Sequence, residues 1–158
     1  MEITSLDIEL ALARYFNPRQ NLMVPNISWG MDMHECDMLI MSKSGYLTEV
    51  EIKISASDLK RDQEKRHGHI DGRIKALYFA IPEVLLKHEI LIPERAGILV
   101  IRKSWESARY GRFEAGLWRK PKINAQAPAL TEAEKFNIAR LGALRMWTLK
   151  RKIQKQEK

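Results

Sequence analysis

The sequence predicts a single α/β domain in which a mixed β-sheet is flanked by helices. Its 158 residues are an ordinary length for one domain. A hydrophobic content of 45% and a charged content of 30% are typical of a globular chain. Stretches in which apolar residues recur with helical spacing alternate with short apolar runs that are typical of strands. We expect this domain over residues 1–150, followed by a basic, frayed tail over residues 151–158.

Composition and cysteine content exclude several classes of protein. The longest apolar runs, residues 76–81 and 97–101, are far shorter than the roughly 18 residues that a membrane span requires. The first residues lack the basic and apolar regions of a secretory signal. The single cysteine excludes an intrachain disulfide, so we expect a cytoplasmic protein. Because the apolar runs are short, we expect no membrane partner. The net charge of +7 favours a polyanionic partner.

The first predicted elements are a helix and an interrupted strand. Apolar residues recur with helical spacing over residues 5–16, and the helix ends at Asn17 because Pro18 follows it. Residues 21–29 predict a strand that contains Pro25. Because proline cannot donate a hydrogen bond to a neighbouring strand, we expect this strand to lie at an edge of the sheet or to be irregular.

Two further strands are predicted over residues 34–41 and 46–54. The four residues that separate them include Gly45, which favours an antiparallel hairpin. A polar helix over residues 55–66 follows, and Ser55 is a suitable N-cap residue for it. The first half of the chain therefore predicts a helix, three strands and a second helix.

The second half of the chain predicts three more strands and two helices. The strands are expected at residues 74–81, 97–102 and 112–118, with a short helix at residues 83–88 and a long helix at residues 131–150. Thr131 and Glu134 have the spacing of a capping box at the start of the long helix. Five apolar residues of this helix recur with helical spacing, and we expect them to dock on the core: Phe136, Ala139, Ala143, Met146 and Trp147.

Acidic residues and one lysine are concentrated on the two hairpin strands. Because successive side chains on a strand point to opposite faces, we expect Glu49, Glu51 and Lys53 to share one face of the second strand. The same rule places Val50, Ile52 and Ile54 on the other face, and in the first strand it places Glu35 and Asp37 opposite Cys36, Met38 and Ile40. The hairpin is therefore predicted to align acidic residues of neighbouring strands.

Pairing of the two strands would bring Asp37, Glu51 and Lys53 to one point on the sheet. Neighbouring carboxylates repel unless a cation joins them, and an uncompensated charge in a buried strand is costly. Mg²⁺, or Mn²⁺ in its place, prefers oxygen ligands, and the backbone carbonyl of Ile52 is a third candidate ligand. The ion would activate a water and offset negative charge on a phosphate, and Lys53 would either orient that water or stabilise the negatively charged transition state. These residues predict a metal-dependent phosphodiesterase.

Asp37, followed after the hairpin by Glu51-Ile52-Lys53, resembles the motif of the PD-(D/E)XK nuclease superfamily. The longer phrase ECDMLIMSKSGYLTEVEIKIS, followed by Asp58, is similar more narrowly to the MmcB-type DNA-repair proteins within that superfamily. The resemblance implies a restriction-endonuclease-like sheet flanked by helices and DNA as the substrate. It also implies Asp37 and Glu51 as metal ligands and Lys53 as the catalytic lysine.

The resemblance covers about residues 6–66. It adds one candidate catalytic residue, and the sequence departs from the family motif in two respects. The superfamily often takes an additional catalytic glutamate from its first helix, where Glu9 is the candidate. Cys36 stands where the family name has a proline, which is not a metal ligand. Glu35 and Glu49 add further acids on the same faces, so the choice of carboxylates that hold the metal stays open.

A plainer interpretation of the second strand makes Glu49, Glu51 and Lys53 solvent-exposed charges that form cross-strand pairs. Glu9 is then an ordinary exposed charge on a helix. The candidates for DNA contact are basic residues and histidines of the polar helix and the loops: Lys60, Arg61, Lys65, His67, His69, Arg109 and Arg112. A solvated helix face is the alternative for those on the helix.

The leading hypothesis is a Mg²⁺-dependent deoxyribonuclease, an endonuclease-like protein of DNA repair or recombination. The alternative is a non-catalytic nucleic-acid-binding module that retains the nuclease fold. A third hypothesis is a protein-interaction component that binds a partner through the helix at residues 136–147. Symmetric cutting of both DNA strands would require a homodimer, for which the sequence identifies no surface.

Overall fold

The computed structural model describes residues 3–27, 34–63, 71–105 and 112–157. The helices are α1 (Ser5–Phe16), α2 (Ala56–Gln63) and α3 (Glu132–Gln156), together with a 3₁₀ helix at Glu83–Leu91. The strands are β1 (Leu22–Ile27), β2 (Cys36–Met41), β3 (Leu47–Ile52), β4 (Ile74–Pro82), β5 (Gly97–Lys103) and β6 (Phe113–Arg119). Among these residues no helix has both the length and the apolar character needed to cross a membrane.

The strands of the described residues form one six-stranded sheet whose spatial order follows their order in the chain. β1, β2 and β3 pair antiparallel, β3, β4 and β5 pair parallel, and β6 returns antiparallel to β5. The two parallel connections contain α2 and the 3₁₀ helix. This mixed sheet with flanking helices confirms the predicted α/β class. β1, which contains Pro25, lies at one edge as expected.

Apolar side chains are buried on both faces of the sheet. Along β5, Leu99 belongs to the cluster that includes Leu12 of α1, whereas its neighbours Ile98 and Val100 belong to a cluster that includes Leu59 of α2. Because neighbouring residues of a strand face opposite sides, α1 covers one face and α2 the other. Full burial of each such side chain contributes about 1.5–3 kcal/mol to folding.

The turn between β2 and β3 connects the sheet to the start of α3. Gly45 in this turn has a φ of +82°, which a residue with a Cβ adopts only with strain. Its carbonyl accepts a hydrogen bond from the backbone N–H of Leu130, with an N–O distance of 2.9 Å. Thr131 and Glu134 form the predicted capping box immediately afterwards. The turn therefore holds the segment from which α3 begins.

α3 packs on the sheet through a different side from the predicted one. Its buried residues are Ile138 and Leu141, whereas Phe136 is 68% exposed and Trp147 is 54% exposed. The prediction that Phe136, Trp147 and their helical neighbours dock on the core is wrong. α3 has apolar residues on both sides, and periodicity alone does not select the side that packs. The helix also continues to Gln156, beyond the predicted end near residue 150.

Candidate active site

The carboxyl-terminal end of β3 carries charged side chains inside the protein. Glu49 and Glu51 are 0% and 1% exposed, and Lys53, directly after the strand, is 6% exposed. Val50 and Ile52 belong to the apolar cluster under α1, so the three charged residues point to the other face, as predicted. Their burial shows that the interpretation of this face as solvent-exposed charges is wrong. Buried charges require compensation, which makes their contacts informative.

Lys53 lies between two buried carboxylates. Its Nζ is 2.6 Å from Oε2 of Glu51 and 2.8 Å from Oδ1 of Asp62, a residue of α2. Asp62 is only 6% exposed, although the charged composition of the helix suggested a solvated face. One signal could have identified it: Asp62 follows the fully buried Leu59 by three residues, so the two share a side of α2.

Asp37 lies where β2 and β3 separate. The last residue pair of this ladder is Met38 with Val50, and beyond it Oδ2 of Asp37 accepts a hydrogen bond from the backbone N–H of Ile52 at 2.7 Å. That amide joins Ile52 to Glu51. The structure therefore brings Asp37 to the backbone of the Glu51-Ile52-Lys53 segment, and the side chain of Glu51 to Lys53.

The predicted alternation along β2 fails at Cys36. The strand pattern placed Cys36 on the same face as Met38, but Cys36 packs with Leu39 in the cluster under α3, while Met38 packs under α1. Cys36 pairs with Ile27 of β1, and Asn26 just before it has a φ of +53°, which interrupts the regular strand geometry. The alternation rule applies only where both strands are regular.

The thiol of Cys36 lies close to several carboxylates. Burial raises its pKa, and the negative charges of Glu49, Glu51 and Asp37 raise it further, in that order. These charges influence one buried sulfur, so the acidic residues of β2 and β3 are neighbours in space. The same shift keeps Cys36 protonated and makes it a poor thiolate nucleophile at neutral pH.

Glu49 has its own partner at this end of the sheet. Its Oε1 is 2.8 Å from Nε2 of His34, whose side chain is 8% exposed. The sequence analysis did not identify this pair, because His34 and Glu49 are separated by a hairpin and no local pattern connects them. The contact joins the segment before β2 to the acidic face of β3.

Glu9 of α1 is influenced by the charge of Asp37. Burial raises the pKa of Glu9, a hydrogen bond from Asn26 lowers it in part, and the negative charge of Asp37 raises it further. The hydrogen bond runs from Nδ2 of Asn26 to Oε1 of Glu9 over 3.4 Å. The structure thus places the first-helix glutamate close enough to Asp37 for their charges to interact.

The donor atoms at this site are of the kind that Mg²⁺ prefers. Glu9, Asp37 and Glu51 offer carboxylate oxygens, and Ile52, directly after Glu51, offers a backbone carbonyl. Within residues 3–27, 34–63, 71–105 and 112–157, no three His, Cys, Asp or Glu side chains are grouped closely enough to hold a metal ion. The donor atoms of these residues are therefore chemically suited to Mg²⁺, but their described side chains are not arranged as a complete set of metal ligands.

The structure describes three of the seven candidates for DNA contact. Lys60 and Arg61 are exposed on α2, and Arg61 forms an ion pair with Asp58. Arg112 is exposed immediately before β6. The other four predicted contacts lie outside the described residues: Lys65, His67, His69 and Arg109.

Comparisons with known proteins support the fold. No protein-family model matches the chain, and no curated protein matches it either. Among solved structures, the chain is similar to the SPO1766 protein of unknown function from Silicibacter pomeroyi, with a TM-score of 0.66 and 14% sequence identity. The similarity covers 99% of this chain and 96% of the other. At this identity it shows a common fold across the whole chain.

Proposed function

We propose that this protein is a metal-dependent DNA phosphodiester hydrolase, endonuclease-like and active in DNA repair or recombination in the cytoplasm. The main support is one arrangement: the buried ammonium of Lys53 is 2.6 Å from Glu51, and Asp37 binds the Ile52 amide between them. The aspartate and the E-x-K segment that carry the PD-(D/E)XK resemblance are therefore in contact, which supports the proposal.

The closeness of acidic groups at the site supports binding of a cation. Glu51 and Asp62 both contact Lys53, Glu49 contacts His34, and the charge of Asp37 acts on Glu9. Because repulsion between buried like charges is strong, a dication at this point would lower the electrostatic energy of the site.

Asp37, Glu51 and the carbonyl of Ile52 would hold the metal, with Glu9 as an additional ligand. When bound, Mg²⁺ would lower the pKa of a bound water and offset negative charge on the phosphate. Lys53 would stabilise the negative charge that develops on the phosphate oxygens. Asp62 would act as a positioning residue, because its Oδ1 is 2.8 Å from the Lys53 ammonium and it belongs to α2 rather than to the strand.

Exposed basic residues would hold the DNA backbone near this site. Lys60 and Arg61 lie on α2, the helix that also supplies Asp62. Phosphate contacts of this kind contribute most of the non-specific affinity for DNA and weaken as the salt concentration rises. We therefore expect DNA binding by this protein to be strongly salt-dependent.

Cleavage of plasmid and branched DNA in the presence of Mg²⁺ or Mn²⁺ tests the proposal. Wild-type protein is compared with Asp37→Asn and Lys53→Met, both of which we expect to reduce the rate at least 100-fold. Glu35→Gln is the matched control, since Glu35 is an exposed carboxylate beside the same strand and should be dispensable. Cleavage that survives both site substitutions would show that the activity comes from elsewhere.

A non-catalytic nucleic-acid-binding module is the second candidate. Two observations favour it. Lys53 forms ion pairs with two carboxylates, and in the described residues no three His, Cys, Asp or Glu side chains are grouped closely enough to hold a metal ion. This candidate predicts salt-dependent DNA binding without metal-dependent turnover. Gel-shift and cleavage assays on the same preparation distinguish the two.

A further inference from the structure

The side of α3 that points away from the sheet carries a stripe of exposed apolar residues. Ile138 and Leu141 mark the side that packs on the sheet. With 3.6 residues per turn, the opposite side carries a stripe of five residues. This outer stripe consists of Phe136, Ala139, Ala143, Met146 and Trp147, all of which are exposed. Its three large members are 68%, 48% and 54% exposed for Phe136, Met146 and Trp147. Such an apolar surface requires an explanation.

We propose that the outer stripe binds the outer stripe of a second copy of this chain, with the two α3 helices antiparallel. In this arrangement Phe136 packs against Met146 of the second copy, and Ala139 packs against Ala143 of the second copy. Two-fold symmetry repeats each contact. The small side chains near the axis let the two helices approach closely, and the large side chains fill the space on either side of them.

The distribution of charge along α3 favours an antiparallel second copy. Its first turn contains Glu132 and Glu134, and the exposed Glu132 forms an ion pair with Lys135 of its own helix, whereas Lys150, Arg151 and Lys152 lie near its other end. In the antiparallel pair, Glu132 of one copy faces Lys150 of the other at both ends of the interface. A parallel pair would instead bring like charges together at each end, which is unfavourable. The helix is therefore complementary to its own reversed copy.

The dimensions of α3 suit a reversible dimer. Its 25 residues correspond to a length of about 37 Å, and the outer stripe occupies the middle of it. An interface made by one helix of each copy is smaller than the roughly 1,600 Å² of a standard protein interface. We therefore expect a dimer whose population rises with protein concentration. This inference does not depend on the proposed hydrolase activity.

Sedimentation velocity of the full chain, from low to high micromolar concentration, tests the interaction. We expect a concentration-dependent shift from monomer to dimer, and we expect Phe136→Ser to weaken association about tenfold or more. Ile90→Ser is the control, because Ile90 is 87% exposed but lies outside α3. Circular dichroism should show unchanged helix content in both variants. A chain that stays monomeric throughout, or equal effects of the two substitutions, would overturn the proposal.

Charge reversal and cross-linking test the orientation. Glu132→Lys and Lys150→Glu should each weaken association, and the double variant should recover it, because the pair meets across the interface in reversed order. In a Cys36→Ser background, protein carrying Ala139→Cys should form a disulfide with protein carrying Ala143→Cys. Preferential linking of identical positions, or failure of the double charge reversal to recover association, would rule out the antiparallel arrangement.

Discussion

The ammonium of Lys53 and the carboxylate of Asp62 are 2.8 Å apart, and they join the end of β3 to α2 inside the protein. Lys53 also contacts Glu51 at 2.6 Å, so one cation is shared by two buried acids. The helix that follows β3 therefore does more than connect it to the parallel strand β4. It supplies the second carboxylate that determines where the Lys53 ammonium lies.

We expect Lys53→Met to destabilise the protein by about 3–5 kcal/mol, because it leaves Glu51 and Asp62 buried without their cation. The double variant Lys53→Met/Asp62→Asn should lose less than the sum of the two single variants, since the pair is coupled. Urea unfolding of all four proteins measures this coupling. If the stability losses of the two single variants add up to the loss of the double variant, Lys53 and Asp62 do not interact energetically in solution.

Substitution of Asp37 tests the hydrogen bond that ends the β2–β3 ladder. Asp37→Ala should cost about 1–3 kcal/mol, because the N–H of Ile52 loses its acceptor. Asp37→Asn retains an acceptor oxygen and should cost less. Hydrogen exchange at the Ile52 amide should accelerate in the alanine variant and much less in the asparagine variant. Equal exchange rates in wild type and Asp37→Ala would contradict the contact.

The raised pKa of Glu9 predicts a pH-dependent stability. Burial and the charge of Asp37 make ionisation of Glu9 harder in the folded protein than in the unfolded chain, where its pKa is 4.5. The charge therefore destabilises the fold above the folded pKa, and this cost disappears as the pH falls below 4.5. Glu9→Gln should raise Tm at pH 7 and should leave it unchanged near pH 4.

Thermal unfolding of wild type and Glu9→Gln at the two pH values checks this expectation. Glutamine keeps an oxygen that can accept the hydrogen bond from Asn26, so the comparison isolates the charge. A lower Tm of the variant at pH 7 would show that the negative charge stabilises the free protein.

The side through which α3 packs can be tested by two substitutions. Ile138→Ala should destabilise the protein by about 2–5 kcal/mol, because Ile138 is fully buried against the sheet. Phe136→Ala should change the stability of the monomer by less than about 0.5 kcal/mol, because Phe136 is largely exposed. Chemical denaturation at low protein concentration measures both. A larger loss of stability for Phe136→Ala than for Ile138→Ala would show that α3 packs on the sheet through the side predicted from periodicity.

The acidic residues of β3 illustrate how far sequence reasoning reaches. Glu49, Glu51 and Lys53 were correctly placed on one face, because alternation is a local property of a regular strand. The contact between Glu51 and Lys53 follows from the same rule, since they are two residues apart. The failure at Cys36 has a local cause as well, in the irregular backbone of β1 at Asn26, which composition does not reveal.

The sequence by itself determined the α/β class, the order of the elements along the chain, the capped start of α3 and the placement of Glu49, Glu51 and Lys53 on one face of β3. Each of these depends on interactions between residues that are close in the chain, where spacing and side-chain chemistry are sufficient. Only the tertiary structure decided that Asp62 joins Lys53, that His34 meets Glu49, and that α3 packs through Ile138. Those contacts connect different elements of the fold. The local sequence of a helix or strand is compatible with more than one packing side, and only packing against the sheet selects one of them.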